Sequence, residues 1–100
     1  MKNFRTYDLA VEFYRQAKTL VLPRHLRDQL LRAASSIALN LAEGRAKPTR
    51  PDQLRFFHFA LGSLRECQAI FELERLEHTN CGNTLDQLGA TLYKLIQKAK

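Results

Sequence analysis

The spacing of the apolar residues constrains this chain most strongly, because they recur every three or four positions in four separate segments. That spacing matches the helical period of about 3.6 residues and differs from the strict alternation of a half-buried strand. The three prolines lie in or beside the breaks between segments, and valine, isoleucine and threonine never form an alternating run. The pattern predicts an all-α protein with a single domain over residues 1–100.

The positions of the breaks predict four helices of unequal length. They cover approximately residues 6–21, 23–43, 49–77 and 83 or 84 onwards. Thr49 is expected to cap the third helix, with Asp52 in its first turn. Thr84 is expected to cap the fourth helix, with Gln87 completing a capping box. Short connections favour antiparallel neighbours, so we predict an antiparallel up-down-up-down four-helix bundle.

The third predicted helix has more apolar surface than one bundle face requires. Besides the residues that would face the bundle, a second line contains Phe56, Phe59 and Ile70. We expect this second line to contact another subunit, which predicts a homo-oligomer. The alternative is that both neighbouring helices of the same chain wrap the whole face. Gly62, which costs the helix about 1 kcal/mol relative to alanine, is expected to mark close contact with another backbone.

The charge of the chain is positive and unevenly distributed. The net charge is +6, with 12 basic against 5 acidic residues in 1–65 and 4 against 5 in 66–100. Such a balance is typical of proteins with polyanionic ligands, although an ordinary solvated surface is the alternative. Aromatic residues are few in the connections, so contact with the nucleic-acid backbone is expected rather than base readout. The predicted nucleic-acid-binding residues are Arg15, Lys18, Arg24, Arg27, Arg45, Lys47 and Arg50.

Four polar residues stand within apolar helical stretches. Asn40 and Glu43 are three residues apart, as are Ser63 and Glu66, so each pair shares a helix face. If the faces meet, they form a buried hydrogen-bond network with Arg32 as a possible cationic partner. The competing interpretation is a carboxylate pair for acid–base catalysis or a metal. No histidine lies three or four residues from either carboxylate on its helix, as a helical di-metal site would require.

The chain contains no motif that indicates catalysis. There is no phosphate-binding glycine loop, zinc-protease signature or serine-nucleophile elbow, so we predict no enzyme activity, no cofactor and no metal. Cys67 and Cys81 are separated by thirteen residues and form no CxxC motif, which favours reduced thiols in the cytoplasm. No segment approaches the roughly 20 apolar residues of a membrane span, and the N-terminus does not read as a signal peptide. We therefore expect a soluble cytoplasmic protein.

Two segments resemble a known family. Residues 29–44 (QLLRAASSIALNLAEG) and 56–66 (FFHFALGSLRE) resemble signature stretches of the bacterial four-helix-bundle family named for the 23S rRNA intervening sequence. The opening segment YDLAVEFYRQAKTLV resembles the first helix of that family. The resemblance implies a basic bundle that assembles as a homopentameric barrel. The matching positions, expected to be architectural, are Arg32, Ser36, Asn40, Glu43, Gly44, Gly62, Ser63 and Glu66.

The resemblance also extends to the function. Related proteins are accessory variability determinants of diversity-generating retroelements, which bind a reverse transcriptase and nucleic acid. The sequence therefore predicts a non-enzymatic homo-oligomer that binds RNA or DNA backbone, with a reverse transcriptase as a possible partner. The alternative is a protein-interaction scaffold with no direct nucleic-acid role.

Overall fold

The computed structural model describes residues 4–100, which form four α-helices and no strand. The helices are α1 (Arg5–Ala17), α2 (Arg24–Ala46), α3 (Arg50–Leu73) and α4 (Asn80–Ala99). Both α1 and α3 pack beside α2 and α4, so the helices enclose one core. Within the described residues, no helix has the length and hydropathy to cross a membrane. The prediction of an all-α four-helix protein is confirmed.

Large apolar side chains from all four helices fill the core. Phe13 of α1, Leu41 of α2 and Leu92 of α4 are fully buried, and Leu64 of α3 is nearly so. The rings of Phe13 and Phe71 lie 5.7 Å apart at 48°, which links α1 to α3 across the core. Burying each such side chain contributes about 1.5–3 kcal/mol relative to leaving it exposed. The periodicity of the sequence therefore reflects a shared apolar core.

The connection between α1 and α2 begins earlier than the sequence predicted. The first helix ends at Ala17, and the side chain of Val21 is 98% exposed. Arg27 closes this connection, because its Nη1 donates to the Lys18 carbonyl at 3.2 Å and to the Leu20 carbonyl at 3.4 Å. These bonds satisfy two carbonyl groups that follow the end of α1. In a longer helix the same groups would accept hydrogen bonds from backbone N–H groups of that helix. The predicted end at Val21 is therefore wrong.

The second helix continues past Gly44 to Ala46. A Cβ atom on Gly44 would lie 2.7 Å from Cε1 of Phe57, so glycine permits the close approach of α2 and α3 there. The prediction that α2 ends before Gly44 is wrong, because this glycine serves packing instead of a helix end. The predicted cap of α3 is confirmed, since Asp52 N–H donates to Thr49 Oγ1 at 3.3 Å.

The third helix ends at Leu73, short of the predicted Glu77. Arg75 has φ 55°, the left-handed conformation that glycine usually supplies after a helix. Leu76 N–H donates to the Phe71 carbonyl at 2.8 Å, and Arg75 N–H donates to the Glu72 carbonyl at 3.3 Å. This pair of bonds is the Schellman closure. The sequence lacks the glycine that would have signalled it.

The fourth helix begins at Asn80, where Thr79 is the N-cap and its Oγ1 accepts from Gly82 N–H at 3.0 Å. The predicted cap at Thr84 with Gln87 is wrong, because Thr84 is buried inside α4 and donates to the Asn80 carbonyl at 3.2 Å. A Cβ atom on Gly82 would lie 2.5 Å from the Leu76 carbonyl oxygen. Only glycine therefore fits where the α3–α4 connection passes over α4.

Candidate nucleic-acid interface

One end of the bundle collects basic side chains from all four helices. A cavity there is lined by residues from the start of the described chain, the end of α2, the start of α3 and the end of α4. An adjoining groove runs between α1 and α4. We call this region the cationic end. Its basic residues are Arg5, Arg45, Lys47, Arg50, Lys94 and Lys98.

The cavity at the cationic end has a volume of about 300 Å³. Its basic lining residues are Arg45 from the last turn of α2, Arg50 from the first residue of α3 and Lys98 from the last turn of α4. Phe4 and Phe57 contribute apolar wall, and no carboxylate side chain of residues 4–100 lines the cavity. The cavity therefore concentrates positive charge in a concave site.

The connection between α2 and α3 holds this end in a defined shape. Gln53 Nε2 donates to the Lys47 carbonyl at 2.9 Å, and Thr49 caps the next helix. Lys47 Nζ lies 3.3 Å from Glu43 Oε2, an exposed pair of the kind that contributes little to stability. The rigid part of this connection is therefore its backbone, which fixes where the basic side chains begin.

Aromatic rings orient several of the cations. The guanidinium of Arg45 lies 4.7 Å from the centre of the buried Phe4 ring. Lys47 and Arg55 each lie 5.0 Å from the centre of the Phe56 ring. Contacts of this kind contribute about 0.5–1 kcal/mol at exposed sites and restrict where the cation points. The charges at this end are therefore partly ordered before any ligand binds.

The other four predicted nucleic-acid-binding residues lie at the far ends of α1 and α2. Arg27 donates hydrogen bonds to carbonyls of the α1–α2 connection, and exposed Arg24 lies 4.0 Å from Asp28. Lys18 lies 5.5 Å from the centre of the Tyr14 ring. Arg15 borders a groove that also contains two carboxylates, those of Asp8 and Glu12. The structure thus separates the predicted set and brings together only its α2–α3 members.

The predicted polar network forms in part, because Asn40 and Ser63 belong to it and both bond to Ser36. Ser63 Oγ donates to Ser36 Oγ at 2.9 Å, and Asn40 Nδ2 donates to the Ser36 carbonyl at 2.9 Å and to its Oγ at 3.0 Å. Ser36, which the family resemblance marked, is therefore the centre of the network between α2 and α3.

The charged members of the predicted network stay outside it. Glu43 pairs with Lys47 instead. Arg32 and Glu66 are exposed and make no side-chain hydrogen bond within residues 4–100. Their placement in a buried network is therefore wrong. The physical reason is that a charged side chain loses less free energy by staying in water than by entering a half-buried contact.

Of the three predicted interface residues, the structure buries one and leaves the other two exposed or half-buried. Ile70 is only 3% exposed and is covered by its own chain, so its assignment to the interface is wrong. The wrapping alternative holds for this part of α3. Phe59 remains 49% exposed, with its ring 5.6 Å from that of half-buried Phe56.

An unpartnered apolar face remains around Phe59. Leu39 of α2 is 69% exposed. Gly62 is exposed, and apart from its chain neighbours and the adjoining backbone of α3 no atom of residues 4–100 lies within 4 Å of where its Cβ would be, so its predicted contact with another backbone does not occur among these residues. We call Leu39, Phe56, Phe59 and Gly62 the Phe59 face.

The two cysteines are free and buried. Burial raises the pKa of the Cys67 thiol to about 12 and that of the Cys81 thiol to about 11. A thiol that stays protonated is a poor nucleophile and a poor metal ligand. Within residues 4–100, no group of three or more His, Cys, Asp or Glu side chains could hold a metal ion.

Arg5, Lys94 and Lys98 belong to the cationic end but are not among the nucleic-acid-binding residues that the sequence predicts. The signal was present in the predicted antiparallel order, which places the start of α1 and the end of α4 beside the α2–α3 connection. Phe4 carried no such signal, because its ring lies under Arg45, which is about forty positions later in the chain.

The comparisons with known proteins identify the family of this chain. No curated protein matches the sequence with significant similarity. The sequence does match the family model described as 23S rRNA-intervening sequence protein, over residues 4–98. This match includes all of α1, α2 and α3 and all but the last residue of α4. The chain therefore belongs to the family of 23S rRNA-intervening sequence proteins.

Proposed function

We propose that this protein is a non-enzymatic, basic helical bundle that associates with copies of itself and binds the backbone of RNA or DNA in the cytoplasm. The observation that carries the proposal is the cavity of the cationic end, where Arg45, Arg50 and Lys98 meet without a lining carboxylate. Lys and Arg side chains that neutralise phosphates supply most sequence-independent binding to nucleic acid. The family name mentions 23S rRNA, which supports RNA among the candidate ligands.

The proposal includes an up-down-up-down order of the helices. Gly44 of α2 lies against Phe57 of α3, and Ser36 bonds to Ser63, so contacts move backwards along one helix as they advance along the other. This relation is the one expected of antiparallel neighbours. It supports the convergence of basic residues from four helix ends at one end of the bundle.

Self-association is proposed to occur through the Phe59 face, and the homopentamer that the family resemblance implies is its proposed form. Exposed Leu39 of α2 and exposed Phe59 of α3 each lie about one turn from the Ser36–Ser63 contact. In antiparallel neighbours both residues lie on the same side of that contact, which brings them close together. A ring of copies would repeat the cationic end, and repeated weak contacts gain affinity through avidity.

Light scattering tests this interface through the double substitution Leu39→Ser and Phe59→Ser, which is expected to convert the assembly into a monomer. Tyr93→Ser removes a large side chain of α4 that is 61% exposed and lies on a helix with no member of the Phe59 face, and it is expected to leave the mass unchanged. A monomeric wild-type protein at micromolar concentration would contradict self-association.

Nucleic-acid binding is tested by removing charge from one end at a time. The triple variant Arg45→Gln, Lys47→Gln and Arg50→Gln is expected to weaken binding of a labelled RNA strand in fluorescence anisotropy. It is also expected to reduce the slope of log K against log salt, because fewer counterions are released.

The matched control removes three charges from the opposite end, through Arg15→Gln, Lys18→Gln and Arg24→Gln. It has the same net charge as the first triple variant and is expected to retain most of the affinity. Equal losses in both variants would show that binding follows net charge and not the cationic end. Affinity that is absent at low salt, or flat across salt, would refute nucleic-acid binding altogether.

An accessory role beside a reverse transcriptase is the finer part of the proposal, and it comes from the resemblance to proteins related to retroelement accessory factors. It predicts that a reverse transcriptase is recovered with the tagged protein. Recovery that is lost after nuclease treatment would indicate that nucleic acid bridges the two proteins, and recovery that survives would indicate direct contact. Nuclease-resistant recovery of some other specific protein, together with absent RNA binding, would instead favour the scaffold function.

A further inference from the structure

The cavity at the cationic end has a composition that suits a small anion. Arg45 and Arg50 approach it from the two sides of the α2–α3 connection, and Lys98 approaches it from the last turn of α4. The carboxylates of Glu43, near the end of α2, and Asp52, in the first turn of α3, are close in sequence to these residues, but neither lines the cavity. Three basic side chains from three helices thus share one recess without an acidic lining residue.

None of these three basic side chains is neutralised within the described chain. The ion pairs of residues 4–100 join Arg24 to Asp28 and Lys47 to Glu43, and neither pair includes Arg45, Arg50 or Lys98. Arg45, Arg50 and Lys98 are exposed, so water weakens their mutual repulsion without removing it. An anion in the cavity would add an attractive interaction with each of the three side chains and so offset their mutual repulsion.

The cavity walls hold part of this arrangement in place before a ligand arrives. The Arg45 guanidinium lies over the ring of Phe4, which is only 4% exposed and therefore cannot move away easily. The backbone that carries Arg50 is fixed by the Thr49 cap and by the bond from Gln53 to the Lys47 carbonyl. Preorganised cations lose less side-chain entropy when they bind a ligand.

The number of basic side chains and their origin on three helices favour phosphate over carboxylate. A carboxylate presents two oxygens and is satisfied by one arginine fork, whereas a phosphate presents further oxygens to donors from other directions. The volume of about 300 Å³ is at the lower limit of ligand pockets, which suits one phosphate group better than a large molecule.

We propose that the cavity between Arg45, Arg50 and Lys98 is a binding site for a single phosphate group. The inference rests on the proposed function for the source of that phosphate, which is a nucleic-acid strand held at the cationic end. The inference goes beyond the proposed function because it assigns one discrete binding site. It also adds Lys98 of α4 to the two arginines that lie on either side of the α2–α3 connection.

The first measurement titrates inorganic phosphate into ¹⁵N-labelled protein and follows the amide signals of residues 45, 50 and 98 by nuclear magnetic resonance. Saturable shifts at these residues are expected, with no saturable shift from acetate at equal ionic strength. Lys98→Gln and Arg50→Gln should each weaken phosphate binding by about tenfold, the effect of losing one charge-assisted hydrogen bond. Lys18→Gln, which removes the same charge at the opposite end, should change it less than about twofold.

Linear shifts without saturation, or equal effects of Lys98→Gln and Lys18→Gln, would overturn the phosphate site. The second measurement repeats the series with an RNA strand, with and without a 5′-phosphate, by fluorescence anisotropy. A preference for the phosphorylated strand that Lys98→Gln abolishes would identify a terminal phosphate as the source, and equal Lys98-dependent binding of both strands would identify the backbone.

The two proposals fail in different ways. RNA binding that Lys98→Gln and Arg50→Gln leave intact, with no saturable phosphate shift, would refute the site and retain the proposed function. Saturable, Lys98-dependent phosphate binding without RNA binding would retain the site and refute the nucleic-acid function.

Discussion

Replacing Gly62 by alanine separates the stability of the single chain from the stability of the assembly. Apart from its chain neighbours and the adjoining backbone of α3, no atom of the described residues lies within 4 Å of the position that the new Cβ would occupy, so the substitution meets no steric obstacle there. Alanine is favoured over glycine inside a helix by about 0.8–1.0 kcal/mol. The unfolding free energy of the monomer should therefore rise by about 1 kcal/mol, and its Tm by about 4–8 °C for a domain of this size.

The assembly should respond in the opposite direction. Gly62 lies on the Phe59 face, where we propose that a second copy packs closely, and an added methyl group would hold the two surfaces apart. Chemical denaturation at a protein concentration low enough for monomer measures the first effect, since linkage to assembly otherwise mixes the two. Light scattering at higher concentration measures the second effect.

Gly89→Ala provides the matched control for this experiment. Its new Cβ would lie 3.7 Å from its nearest neighbours, an ordinary contact, and α4 carries it away from the Phe59 face. It should gain stability without changing the assembly. A loss of monomer stability in Gly62→Ala would refute the open environment of this residue, and an unchanged assembly would remove Gly62 from the proposed interface.

Three further predictions concern the described chain. Gly82→Ala should lower the unfolding free energy by about 1–3 kcal/mol in chemical denaturation, because its Cβ would meet the Leu76 carbonyl oxygen at 2.5 Å. Stability equal to that of the wild type would contradict the close approach of the α3–α4 connection to Gly82. Arg75→Gly should raise stability by about 1 kcal/mol, because arginine has φ 55° there, and a lower midpoint would count against the Schellman closure. Stability should fall as pH rises from about 9 toward 11–12, because the unfolded chain loses the protons of Cys67 and Cys81 while the native chain retains them. The double variant Cys67→Ala and Cys81→Ala should lose part of that slope, and an identical slope would contradict the raised pKa values.

The sequence predicted the helices correctly because helical period is a local property of the chain. The Thr49 cap was equally readable, since a cap and its acceptor lie within one turn of each other. The residues at which the helices end were harder to predict from the sequence. Arg75 closes α3 in a conformation that usually requires glycine, and Gly44 lies inside α2 although glycine often follows a helix.

The candidate site was predictable only in part. Arg45, Lys47 and Arg50 are close in sequence, so their clustering followed directly from the short α2–α3 connection. Arg27 was indistinguishable from them by charge, yet the structure shows it donating to the carbonyls of Lys18 and Leu20. A basic residue type does not reveal whether its donors are already occupied.

The sequence by itself determined the four amphipathic helices, the excess of positive charge and the family, because each depends on residue type and local spacing. Only the tertiary structure decided that Ile70 is covered while Phe59 is exposed, and that Lys98 joins Arg45 and Arg50 around one cavity. The physical reason is that burial and the convergence of charges depend on how far each helix extends and how it is rotated against its neighbours. Those quantities are set by packing contacts between residues distant in the chain, such as Gly44 against Phe57.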